Sequence, residues 1–380
     1  MAISTQHTID SKASANSSAS GDRKLSGDGP GRGQDAAGML GQFSPAGAPR
    51  GRMGQVLGVQ LGGIGAYVPE NIVTNEDLAA LGCDSDWIVR RTGILQRCHA
   101  LPGQSTGDLA YEASRQAIQR SKIDPAAIDL LIVATITPDH MTPSTACHLQ
   151  KRLGLYCPAM DVSAACAGFV YALVTAANII RAGNCRHALV VGADLMSRTI
   201  DPDDKKTFPL FGDGAGAVVL SASEDETIGL LSYQLGSEGD AGEMLCIPAG
   251  GTRLPLNESN IESSQRYLQM DGRNVFKWAV RLVDESIREV LADANLTTAE
   301  IQHVLLHQAN QRIIDSAVSD LGFAPERVFM NLDRYGNTSA ASIPLAMAER
   351  FSGGRVQPGD RTLLCGFGSG LAWGTALLQS

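Results

Sequence analysis

Ala159-Met-Asp-Val-Ser-Ala-Ala-Cys166-Ala-Gly-Phe169-Val-Tyr-Ala-Leu-Val-Thr-Ala-Ala-Asn-Ile-Ile-Arg-Ala182 decides the fold class of this chain. Its first four residues predict a short strand, Ala159–Val162. Ala167–Ala182 predicts a helix with apolar side chains almost all round, and a helix of that kind is buried on every side. The hand-over between the two holds a cysteine among small residues.

Outward from this unit the chain alternates strand and helix. Before it come an apolar, Gly-containing strand at Val56–Ile64 and a helix at Asn75–Leu81 under an Asn cap. An amphipathic helix at Thr106–Ser121 follows, then a buried strand run at Asp129–Thr135 and a helix at Ser144–Leu153. After it come strands at Ala188–Gly192 and Gly216–Leu220. The second half repeats the alternation without a residue-level repeat: helix Asn274–Ala294, strand His303–Leu306, helices Asn310–Leu321 and Ala341–Arg350, strands Thr362–Cys365 and Trp373–Leu378. Such a pattern predicts an α/β protein with parallel strands buried between helices.

The chain has 380 residues, 44% hydrophobic and 19% charged, enough to bury a sizeable core. Its net charge of −9 argues against nucleic acid or an anionic membrane as partner, because a polyanion is bound by a basic field. No apolar run approaches the roughly 18 residues of a membrane span, and no signal-peptide pattern opens the chain. The eight cysteines form neither a C-x-x-C nor a zinc-spaced cluster, so a reducing cytosol is the expected setting. Residues 1–52 are Ser/Gly/Ala-rich with one aromatic, Phe43, and predict a disordered tail; Met53 is an alternative start.

Cys166 would sit at a helix N-terminus, whose partial positive charge favours a thiolate and whose N–H groups can hold an oxyanion. Taken alone, a buried cysteine is more often an inert small hydrophobe. His307 follows the strand Val304-Leu-Leu306 and opens His307-Gln-Ala-Asn310-Gln-Arg312; α/β proteins place their sites beyond such strand ends. A strand-end histidine satisfied by backbone fits the same residues. Asn337 lies in Tyr335-Gly-Asn-Thr-Ser-Ala-Ala-Ser342, which also reads as a plain turn with Thr338 or Ser339 capping the next helix. Gly366-Phe-Gly-Ser-Gly370 resembles a dinucleotide fingerprint but precedes a strand, so it reads as an oxyanion donor loop. Gly212-Asp-Gly-Ala-Gly216 lacks the P-loop Lys-Ser/Thr and marks tight backbone packing. No metal-ligand spacing is present.

Together with Asp84-Ser-Asp-Trp87-Ile-Val-Arg-Arg91-Thr-Gly93, these motifs stand in one order, and from about Gln55 onward the chain closely resembles the β-ketoacyl-[acyl carrier protein] synthase III family. The resemblance implies a thiolase-like fold, two similar halves (53–225 with Cys166, 226–380 with His307 and Asn337) stacked as α-β-α-β-α, and a homodimer. It implies an acyltransferase that condenses an acyl-CoA primer with malonyl-acyl carrier protein, with no metal or redox cofactor. Cys166 would carry the acyl group, His307 and Asn337 would stabilise the enolate, and the backbone of Cys166 and Ser369 would hold the oxyanion. For CoA the match suggests Trp87, Arg91, Lys205, Phe276 and Asn310; for the acyl pocket Thr142 and Gly272; for carrier-protein docking Lys277 and Arg312. Thr142 stands where acetyl-preferring relatives often carry Phe, which implies room for longer primers. A thiolase would need a second acid cysteine, and hydroxymethylglutaryl-CoA synthase a catalytic Glu within Thr135–His140, where none stands. A condensing enzyme of secondary metabolism and an inactive carrier-protein-binding partner are the other readings.

Overall fold

Two five-stranded sheets carry the core in the computed structural model, which describes residues 51–352 and 356–380. Of the tail expected at residues 1–52, residues 1–50 lie outside the described residues, whereas Gly51 and Arg52 stand in a strand. Strands β1 (Gly51–Leu57) and β2 (Val59–Tyr67) enter different sheets, and a ribbon of β3 (Ile72–Thr74) with β4 (Gln96–Cys98) brackets helix α1 (Ser85–Thr92). The first half continues through α2 (Thr106–Ser121), β5 (Leu130–Ala134), α3 (Thr145–Leu153), β6 (Ala159–Val162), α4 (Gly168–Arg181), β7 (His187–Leu195) and β8 (Asp213–Ala222). The second half opens with β9 (Gly229–Ser237), the short pair β10 (Leu245–Cys246) and β11 (Gln269–Met270), and the long helix α5 (Gly272–Asp293). It closes through β12 (His303–Leu306), α6 (Gln311–Leu321), α7 (Leu332–Tyr335), α8 (Ser342–Arg350), β13 (Arg361–Gly368) and β14 (Ala372–Gln379).

Strand order exposes a duplication that the residues conceal. The first sheet runs β2-β8-β7-β5-β6 and the second β1-β9-β14-β13-β12. In the first, β5 is parallel to β6 and β7, and β8 is antiparallel to β7 and β2. In the second, β12 is parallel to β13, and β14 is antiparallel to β13 and β9. Thus β9-β14-β13-β12 repeats β2-β8-β7-β5 in order and sense, and Val328, bridged in parallel to Val304, stands where β6 stands beside β5. The extra strand β1 pairs antiparallel with β9. It spans the expected tail boundary at residue 52 and serves the sheet of the second half.

Burial explains the layers. Because successive strand residues face opposite sides, Leu131 and Val133 of β5 pack outward on α2 and α3, whereas Leu130 and Ile132 pack inward. Inward, they meet Phe169 and Leu173 of α4 and Ile343 and Met347 of α8, the helix pair between the two sheets. Helix α4 is not buried on every side as expected: Tyr171, Thr175 and Asn178 form a partly exposed stripe, while Phe169, Leu173, Ala176 and Ile180 pack in the core. Helix α5 packs on strands β9, β13 and β14 of the second sheet, and α6 packs against α5.

Some local expectations change. Asn75 is no helix cap: its amide donates to Ile94 O at 2.8 Å and its Oδ1 accepts from buried Arg97 at 2.8 Å. Strand β9 escaped notice because its residues, Gly-Leu-Leu-Ser-Tyr-Gln-Leu-Gly-Ser, mix glycine and polar groups into a buried strand. Helix α1 is set by Asp84, whose side chain accepts from Trp87 N, and ends on Gly93 in a left-handed turn.

Candidate active site

Cys166 lies in a single 3-10 turn, Ala165–Ala167, that joins β6 to α4. Ala165, just before it, is held at φ +44°, a conformation that costs a residue with a Cβ about 1–3 kcal/mol and persists only where the surroundings enforce it. Strand β13 crosses directly over this turn. A Cβ on Gly368 would fall 2.9 Å from Cys166 Cβ and 3.1 Å from its Sγ; one on Gly366 would fall 3.1 Å from Cys166 O. The glycines of the loop therefore let a backbone approach the thiol.

His307 is the first residue beyond β12, its N–H donating to Cys365 O at 2.8 Å. Ser342 Oγ lies 2.9 Å from His307 Nδ1 and accepts from Gln308 N at 2.9 Å. The Ser342 hydroxyl hydrogen is free to point at Nδ1, and in that tautomer Nε2 carries the ring proton. The Phe367 ring packs edge-on at 5.2 Å between centroids. Burial pulls the imidazole down to about 3, which leaves His307 neutral near pH 7.

Asn337 is pinned from both sides. Its N–H donates to Leu210 O at 2.8 Å and its carbonyl accepts from Gly212 N at 3.0 Å. Gly212 is required there, since a Cβ would fall 2.2 Å from Tyr335 O, which bears out tight packing at Gly212-Asp-Gly-Ala-Gly216. The side-chain Oδ1 accepts from Ser339 N at 2.9 Å, which turns the Nδ2 end toward the cavity as a donor. Neither Thr338 nor Ser339 caps the following helix through its side chain.

One cavity of about 120 Å³ is lined by Cys166, His307, Asn337, Ser369, Gly272 and Phe276, with Asn310 also on its wall. At its rim, Asn310 Nδ2 donates to Arg91 O at 3.0 Å, the Arg91 guanidinium lies 4.9 Å over the Trp87 ring, and that of Arg312 lies 5.4 Å over Phe276. Lys277 is exposed next to Phe276. Ser369 turns its hydroxyl onto Leu245 O, so its Cβ is accommodated. Two expected residues do not join this group. Thr142 is exposed in the segment before α3, and Lys205 is exposed in the turns after Ile200; neither lines the cavity of its own chain.

Burial, helped by the nearby Asp194 carboxylate, pushes the Cys166 thiol up to about 12, while a hydrogen bond with Ser339 pulls it down. The helix end anticipated to yield a thiolate is worth at most ~2 kcal/mol, about one and a half decades of acidity. Desolvation outweighs it, and the resting group is the neutral thiol. Ser339, Ser342, Phe367 and Asp194 are the site residues that sequence reasoning missed. Both serines stood inside the Asn337 motif, where Ser339 read as a helix cap and Ser342 as nothing in particular, and Asp194 was visible only as an acid after an apolar strand.

A family profile described as 3-Oxoacyl-[acyl-carrier-protein (ACP)] synthase III matches residues 160–239, and its C-terminal counterpart matches residues 291–380. The Beta-ketoacyl-[acyl-carrier-protein] synthase III of Rhodopirellula baltica is 63% identical over 344 residues, covering 86% of this chain and 100% of the relative. The 3-oxoacyl-[acyl-carrier-protein] synthase III crystal structure from Aquifex aeolicus superposes with a TM-score of 0.78 at 40% identity, covering 85% of this chain and 100% of that one. A priming beta-ketosynthase of the R1128 polyketide pathway reaches 0.78 at 35% identity, covering 86% and 97%. The duplicated sheets have the thiolase-like fold of these relatives, and the chain belongs to the β-ketoacyl-[acyl-carrier-protein] synthase III family.

Proposed function

We propose that Cys166, His307 and Asn337 are the reacting set of a two-stage condensation. Family membership makes the chain a condensing acyltransferase that initiates fatty-acid synthesis. Cys166 attacks the thioester of an acyl-CoA primer; the acyl group stays on sulfur and CoA leaves. Malonyl-acyl carrier protein then enters. His307 Nε2–H and Asn337 Nδ2–H hydrogen-bond to its thioester oxygen and hold the enolate formed as CO2 departs. The enolate attacks acyl-Cys166 and 3-oxoacyl-acyl carrier protein leaves. The observation that carries this reading is the pair of aimed neutral donors, His307 fixed by Ser342 and Asn337 fixed by Ser339 N, on one cavity wall with a thiol. A proton-shuttling histidine would titrate near neutrality, and His307 does not.

The rim of Trp87, Arg91, Phe276 and Asn310 suits an adenine and its phosphates, with Lys205 as a mobile point charge. Lys277 and Arg312 form a basic rim on an acidic protein and suit an acidic carrier protein. A homodimer is supported by the open edge of β6, around which Met141, Tyr156 and Met160 are exposed. Thr142 lies beside Met141 on that face, where a second chain would bring it to a cavity not its own. No helix among the described residues is long and apolar enough to cross a membrane, and a cytoplasmic setting fits the eight free cysteines. The test is condensation itself: purified protein, a panel of acyl-CoAs and malonyl-acyl carrier protein should release CO2 and 3-oxoacyl-acyl carrier protein. His307→Ala and Asn337→Ala should each lose CO2 release by about 10²–10³-fold. Product on a different acceptor would favour the polyketide-priming reading.

A further inference from the structure

Asp194 lies near the end of β7, fully buried, and the condensation set out above gives it no task. Its Oδ1 accepts from Thr135 Oγ1 at 2.9 Å, Ile136 N at 2.8 Å, Thr137 N at 3.2 Å and Thr137 Oγ1 at 3.0 Å. Its Oδ2 faces the loop after Asn337, where Ala340 N donates at 3.1 Å and the neighbouring Ser339 side chain favours the charged carboxylate. Among the described residues no cation is paired with it. Burial raises its pKa and makes it a stronger base than a solvated carboxylate.

Ser339 joins this acid to the nucleophile. Its Oγ lies 3.5 Å from Cys166 Sγ, and its backbone is held at φ +51°. A left-handed residue other than glycine persists only where its surroundings over-determine it. The thiol needs a proton acceptor, because it rests neutral and His307, titrating at about 3, takes no proton at neutral pH.

We propose that Ser339 and Asp194 form the proton relay of Cys166: the thiol passes its proton to Ser339 Oγ as Ser339 passes its own to the Asp194 carboxylate. The inference rests on Cys166 being the acylated group. The resulting thiolate bonds to the primer carbonyl carbon, the carbonyl carbon–CoA sulfur bond breaks, and the relay runs backward to protonate the departing CoA sulfur. Asp194 is a carboxylate again once CoA has left. In the second stage Cys166 is released as a thiolate and takes its proton from solvent, the one proton that the overall condensation consumes.

Few other groups titrate around this acid. Cys166 faces it from the turn before α4, and His307 is the other titratable side chain of the cavity. Asp213, opposite Leu195 on β8, is held by Ala100 N, Ser197 N and Ser197 Oγ, with His99 and, beyond it, Arg97 on its far side.

Ser339→Gly tests the relay without disturbing the fold, since φ +51° suits glycine and Ala340 N still reaches Asp194; Asp194→Asn is the companion variant. Acyl-Cys166 formation from acyl-CoA is followed by quenched mass measurement across pH 6–10, and CO2 release from malonyl-acyl carrier protein is followed in a Cys166→Ala background with and without Ser339→Gly. Acylation should fall about 10²–10³-fold at pH 7 and recover toward pH 10, as hydroxide replaces the relay, and this loss should exceed any loss of CO2 release at least about tenfold. Acylation with an unchanged pH profile, or acylation and CO2 release falling together, would overturn the relay alone. Absence of any Cys166 adduct in the unaltered enzyme would remove the acyl-enzyme reading and the relay with it.

Discussion

At the scale of single residues, the site is defined by what burial does to protonation. His307 is drawn from 6.5 to about 3 by desolvation, so it stays neutral across the working range. CO2 release from malonyl-acyl carrier protein should therefore be flat between pH 5 and 8, whereas a bell centred near 6.5 would show a titrating histidine. The same shift has a stability consequence. Below pH 6.5 the unfolded chain binds a proton at this site that the folded chain refuses until about pH 3, so stability present above 6.5 is lost as pH falls toward 3. His307→Gln should thus lose less stability than the parent on acidification from pH 7 to 4, measured by urea denaturation. Of the two hydrogen bonds that the Ser342 hydroxyl makes, the one with His307 orients the ring: Ser342→Ala should slow CO2 release about fivefold, for ~1 kcal/mol, and leave acyl-enzyme formation unaltered. Equal losses in both stages would assign Ser342 to the fold rather than to His307.

At the scale of elements, the glycines of β13 matter more than the turn after it. Gly368→Ala places a methyl within contact of Cys166 Cβ, N and Sγ, on a strand end that β14 holds through the Gly368–Ala372 pair. Acyl-enzyme formation should drop at least about 10²-fold with the protein still folded, seen by mass and by circular dichroism. This proximity was not visible in Gly366-Phe-Gly-Ser-Gly370, because the partner of each glycine is some two hundred residues away. Elements with a strong local period were legible: α2, β6, α4 and β12 fall within a residue or two of their expected bounds. Strand β9 was not, since its burial comes from β1 and β14 on its flanks rather than from its own composition. Asn75 shows the opposite failure, a residue with capping chemistry claimed instead by buried Arg97.

At the scale of the whole molecule, the duplicated sheets bring distant strand ends to one cavity: Cys166 from the first half, His307 and Asn337 from the second. The motifs announced that assembly, and their order along the chain named the family. They did not announce the buried polar partners of the site, Ser339 beside Cys166, Ser342 on His307 and Asp194 on Ala340 N, whose meaning lies in long-range contacts. Charge acts at this scale too. Lys277→Glu with Arg312→Glu should raise KM for malonyl-acyl carrier protein about tenfold and weaken its salt dependence, with the acyl-CoA stage untouched. Equal effects on both substrates would place these residues at the CoA entrance instead. The open edge of β6 predicts a dimer by sedimentation, and Met160→Arg should shift it toward monomer.

The central claim is that Cys166 carries the acyl group between two substrates. Intact mass after incubation with a panel of acyl-CoAs, beside a Cys166→Ala control, tests it most directly. The expected result is one added acyl mass, absent from the control and removed when malonyl-acyl carrier protein is supplied. An adduct that survives Cys166→Ala, or one that malonyl-acyl carrier protein never discharges, would contradict it.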